Sequence, residues 1–174
     1  MERWLPGLFA LQNIHPMLVH FPIALFLSAL AMEGLAVLMK DERFHFVATW
    51  MLYLGTVAAV ITLPTGFMAM NQVASAVDSG SHSAPGHDFI HIHRDWMVAT
   101  TSLAVFLSAY LFWINRKKRW ASQRRQFLVG LALLSVLLVL GADRGARLVF
   151  EFGTGVNPRA FEVMPQTKNH EDAH

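Results

Sequence analysis

The chain of 174 residues contains no cysteine. That excludes disulfides, iron–sulfur clusters, thiolate zinc sites and covalently attached c-type haem as intrachain features. Redox or metal chemistry here must use His, Met, carboxylates or a bound cofactor. Charge is also scarce, at 15% of residues, against about 25% in an ordinary soluble domain. No G-x-x-x-x-G-K-[ST], H-E-x-x-H or Ser-His-Asp constellation is present, so nothing points to nucleotide or hydrolytic chemistry.

Apolar residues in long blocks are abundant. The composition is 54% hydrophobic, and the mean hydropathy is +0.38. This balance indicates an integral membrane protein of one domain. The formal net charge is +2 and the pI is near 9.3. The positive charge is gathered in one loop, so it does not indicate a nucleic-acid partner. Ala29-Leu30-Ala31 is a weak cleavage-like site. The run around it is longer than a typical signal-peptide core and begins with two His and two Pro, so it is expected to be retained.

A bilayer core of about 30 Å needs roughly 20 apolar residues as helix. Four segments meet this need: about Pro16 to Met39, Phe46 to Met70, Trp96 to Ile114, and Phe127 to Ala142 continuing toward Phe152. The runs are continuous rather than alternating, which selects helices over barrel strands. The expected fold is an all-α, four-helix membrane bundle over residues 1–157. Residues 158–174 form a polar C-terminal tail.

Between the third and fourth spans lie Arg116, Lys117, Lys118, Arg119, Arg124 and Arg125. The positive-inside rule makes this the cytoplasmic loop. The loop with Lys40 and Arg43 falls on the same side, and both termini fall on the periplasmic side. Eight of the nine His then lie outside: His15, His20, His82, His87, His91, His93, His170 and His174. His45 alone lies inside.

An imidazole at a lipid boundary is costly without a partner, so a cluster suggests a ligand, a metal or a proton path. In His15-Pro16-Met17-Leu18-Val19-His20-Phe21-Pro22, Pro16 suits a first helical turn and places His15 at the cap. Five helical residues turn through about 500°, so His15 and His20 point about 140° apart and do not grip one ion from a regular helix. They read either as a cofactor ligand with a polar helper or as an interfacial pair bonding backbone groups. In His91-Ile92-His93-Arg94 the two His face one side if the segment is extended. His93 opens the third span at the depth of His20, as bis-imidazole haem ligation requires. His82 and His87 read more simply as solvated loop residues.

Leu63-Pro64-Thr65-Gly66 predicts a kink in the second span, serving packing or close approach of a ligand. Asp143 and Arg147 sit at i and i+4 and are expected to pair. Gly141 and Gly145 make a small-xxx-small pattern. Arg144 and Arg147 read either as snorkelling cations or as partners of a cofactor carboxylate. Met17 and Met97 are further soft ligands near the cluster. Glu33, in the inner half of the first span, is expected to reach the interface.

Ile14-His15-Pro16-Met17-Leu18-Val19-His20-Phe21-Pro22-Ile23-Ala24-Leu25, Thr65-Gly66, His93-Arg94, and Gly141 through Leu148-Val149-Phe150 to Gly155-Val156 resemble a bacterial membrane-protein family, domain of unknown function 2231. The resemblance covers about residues 12–157. Asp143-Arg144-Gly145 stands where members usually have Gly-Gly, and Phe150 where they usually have Tyr.

The family is sometimes joined to c-type cytochrome modules. The resemblance therefore implies electron transfer at the periplasmic face of a bacterial inner membrane, and marks His15, His20 and His93. Together with the residue reading, this gives a haem b protein acting in electron transfer rather than as a stand-alone enzyme. His20 and His93 are the expected axial metal ligands, with His15 supporting them. Arg94 and Arg147 are expected on the propionates. The expected partners are the lipid bilayer, a cytochrome or respiratory-complex subunit, and quinone. A cofactor-free anchor or assembly subunit and a His-based transition-metal protein are the alternatives.

Overall fold

The computed structural model describes residues 14–76, 86–117 and 120–154. The described residues are helical, with α1 at His15–Leu18, α2 at His20–Met39, α3 at Glu42–Ala76, α4 at His87–Arg116 and α5 at Trp120–Phe150. The sequence expectation of four long apolar spans holds: they run His15–Met39, Glu42–Asn71, Asp88–Arg116 and Ser122–Phe150.

Proline punctuates the first span. Ile14 is the N-cap and Pro16 lies in the first turn, so His15 is the first helical residue rather than the cap. Pro22 has no N–H to give to the Leu18 carbonyl, and the helix breaks at Val19, separating α1 from α2. Pro64 behaves differently, because α3 continues as one helix across it.

The α2–α3 turn is tight. Lys40 takes the left-handed conformation at φ 56°, and Asp41 Oδ1 caps α3 by accepting the Arg43 backbone N–H at 2.9 Å. The Arg43 guanidinium also holds the exposed Asp41 carboxyl below the usual carboxylate range. At the far end of α5, Gly153 has φ 64°. The Thr154 and Gly153 N–H groups bond the Leu148 and Val149 carbonyls at 2.9 and 3.1 Å, a glycine-terminated helix end.

Helices α2, α3, α4 and α5 form a ring in which each packs on two neighbours. Phe26, Leu52, Leu111, Ile114, Phe127, Leu131 and Leu134 fill its axis. Small residues let the backbones approach: a Cβ on Gly55 would lie 2.7 Å from the Phe26 ring. Only 28–33% of each span's most apolar stretch is buried inside the bundle. Phe46, Leu54, Val57, Phe106 and Val129 face outward, as expected where lipid is the solvent.

Several helix ends differ from expectation, and the fourth helix begins at Trp120 rather than Phe127. The third helix begins at His87 rather than Trp96, about two and a half turns earlier. The second continues to Ala76. Hydropathy marks where apolar residues stop, whereas the backbone ladder continues through His and Asp until Gly86 turns at φ 87°. His91 and His93 are consequently helical and about 200° apart, not on one side. His82 and the tail with His170 and His174 lie outside the described residues.

Candidate functional site

Near the end of the bundle that carries His15 and His93, a cavity of about 520 Å³ opens among the spans. That size suits a small organic ligand or cofactor. Its lining is mostly apolar, with Phe26, Leu63, Met97 and Leu148 among its walls. Antiparallel order brings together the start of the first span, the late part of α3, the start of α4 and the late part of α5. His15, His20, His93 and Arg94 all reach its wall.

His15 and His93 are each held from behind. The Thr65 hydroxyl donates to the Thr62 carbonyl at 2.6 Å. Its oxygen therefore accepts from His15 Nδ1, 3.0 Å away. His93 Nδ1 lies 2.9 Å from the Gly141 carbonyl, which can only accept. Each bond places the ring hydrogen on Nδ1 and leaves Nε2 with its lone pair. A histidine whose Nδ1–H is bonded to a carbonyl or similar acceptor is oriented to ligate through Nε2.

Two glycines make room for these rings. A Cβ on Gly66 would lie 3.0 Å from His15 Cε1, and one on Gly145 would lie 2.7 Å from His93 Cε1.

His20 lies on the same wall, but its ring is exposed and makes no hydrogen bond among the described residues. The structure therefore sets His15, not His20, in the enclosed position corresponding to His93. Arg94 lines the cavity and pairs with Asp95 at 2.7 Å. Arg147 is not on the cavity wall. It pairs with Glu151 at 2.8 Å rather than with Asp143, and lies 4.7 Å over the Phe89 ring. Both carboxylates are one turn away, but the Glu151 geometry gives two parallel N–H···O bonds. Arg144 lies over Trp96 at 4.3 Å, as a snorkelling cation does. Met97 reaches the cavity wall, whereas Met17 is exposed.

The family model described as "Predicted membrane protein (DUF2231)" matches residues 11–158. The chain belongs to DUF2231. No curated protein and no solved structure matches it.

This DUF2231 protein has a second polar centre, at the end of the bundle with the cationic loop. Glu33 is fully buried within the bundle. One carboxylate oxygen accepts from Arg124 Nε at 2.9 Å and the other from His45 Nδ1 at 2.7 Å. Arg124 also pairs with Glu42 at 2.7 Å, and the His45 ring stacks on Trp120 at 3.7 Å between centroids. Three helices are fastened by one carboxylate. Glu33, His45 and Arg124 share a depth in the sequence topology, the only signal that could have linked them.

Proposed function

We propose that the DUF2231 cavity binds a b-type haem with His15 and His93 as axial ligands. On this reading the protein transfers electrons at the periplasmic face of a bacterial inner membrane, with a cytochrome or respiratory-complex subunit as partner. The observation that carries the reading is the pair of imidazoles from different helices on one cavity, each with Nδ1 tied and Nε2 left over.

The residues present suit such a group. Thr65 and Gly141 fix the two rings. Gly66 and Gly145 keep the space beside them clear. Most of the surrounding lining is apolar. Arg94 supplies a cation at the wall for a propionate, while His20 remains for a second propionate or for solvent. Bound there, haem would supply one-electron oxidation and reduction, its potential set by the axial ligands and the apolar surroundings. A protein-only metal site has less support, since no three His or carboxylate groups converge among the described residues.

The test is the visible spectrum of the full chain, produced with haem supply and purified in detergent. A Soret band with low-spin bands on reduction is expected. His15→Ala and His93→Ala should each abolish the low-spin signature, and His20→Ala should retain it. Absence of any Soret band overturns the reading.

A further inference from the structure

At the opposite end of the bundle lies a shallow groove of about 540 Å³ that the haem reading does not use. Trp50, Tyr53, Phe112 and Trp120 form flat aromatic walls, and His45 and Asn115 supply polar edges. The exposed faces of Phe46, Trp50 and Phe112 adjoin it, so a ligand dissolved in the lipid can reach it from the side. Arg116 also lines it, but its guanidinium lies 4.9 Å over the Phe112 ring. A single cation so placed is a poor cradle for a lipid phosphate.

The chemistry of His45 narrows the ligand class. Its Nδ1 bonds a carboxylate that is itself fully buried. Its far nitrogen, Nε2, lies 3.4 Å from Thr49 Oγ1, a hydroxyl that already donates to the His45 carbonyl at 2.9 Å. Thr49 lines the same groove. An imidazole backed in this way can accept a hydrogen bond through Nε2 when neutral and donate one when protonated. That pair of roles matches a ligand oxygen that alternates between carbonyl and hydroxyl. The flat walls match a conjugated ring.

We propose that this groove binds the ring of a membrane quinone, with His45 bonding one ring oxygen and Glu33 positioning His45. The site stands independently of the haem cavity. Glu33 is a positioning residue, because it acts through the imidazole.

The full chain, prepared without added haem in nanodiscs of zwitterionic lipid, is titrated with a decyl-tailed dimethoxybenzoquinone while tryptophan fluorescence is followed. Saturable quenching is expected, with part of its amplitude lost in Trp120→Phe and the remainder carried by Trp50, which also lines the groove. Asn115→Leu leaves the buried Glu33–His45–Arg124 cluster intact and should raise the Kd at least tenfold. His45→Gln, which keeps a side-chain hydrogen-bonding group, should also raise it.

Quenching that grows linearly with quinone in the lipid, or that is unchanged by Trp120→Phe and Asn115→Leu, overturns the proposal. Displacement of the quinone by phosphatidylglycerol at equal mole fraction assigns the groove to a lipid headgroup and also overturns it. No Soret band enters the readout, so this result and the haem result fail separately.

Discussion

Gly145 packs directly against the His93 imidazole: a Cβ at this position would stand 2.7 Å from Cε1 and 3.2 Å from Nδ1. The ring is pinned between that backbone and the Gly141 carbonyl it bonds one turn earlier on α5. A methyl group would have to push the ring away from its acceptor. Gly145→Ala is therefore expected to lower the Soret absorbance per protein several-fold. Gly34→Ala is the control, since nothing lies within 4 Å of a Cβ there. It should leave the spectrum unchanged and stabilise the helix by about 0.5–1 kcal/mol.

Thr65 supplies the oxygen that orients His15. Thr65→Val preserves the shape and removes that oxygen. Loss of such an orienting partner typically weakens metal affinity about 10–100-fold. Haem titration of the variant should show a weakening of that order, with the helical circular dichroism retained. Unchanged affinity would remove Thr65 from the site.

Glu33 holds two cationic or potentially cationic partners at no exposure. Glu33→Ala would leave the Arg124 guanidinium with Glu42 as its remaining carboxylate and its Nη2 still buried without a partner among the described residues. Leaving a buried charge uncompensated costs about 3–5 kcal/mol, and the Glu42 pair keeps the loss here below that. Thermal denaturation in detergent should register that loss for Glu33→Ala and a smaller one for Glu33→Gln, which keeps a side-chain acceptor.

The Arg147 guanidinium beside Glu151 holds its carboxyl below the usual carboxylate range. A carboxyl lowered on folding contributes stability that is complete above its unfolded pKa and is lost as the pH falls through the folded one. The protection factors of the amides at the end of α5, taken against the pH-dependent intrinsic exchange rate, should therefore fall below pH ~4.5 and be unchanged from pH 6 to 8. Glu151→Gln should remove the difference. Because both groups are exposed, global melting should move little.

The four spans could be read from apolar runs, because lipid leaves a backbone no partner but itself and helices are the way to satisfy it. Proline positions announced the start of the first span, and the break at Val19 follows from the missing N–H of Pro22. The membership in DUF2231 was equally legible, in the His15–Pro22 motif and its companions. Helix ends were less so. His87 to Asp95 is too polar to count as a span, yet it continues the helix.

Residue chemistry alone determined that imidazoles gather near one end of an apolar bundle. It left undecided which of them share a space. Depth along a helix can be counted from sequence, but rotation toward a neighbour depends on how the four helices pack. That rotation brought His15 and His93 onto Thr65 and Gly141 and left His20 exposed. It also sealed Glu33 between His45 and Arg124, a pairing across three helices that no one-dimensional period encodes.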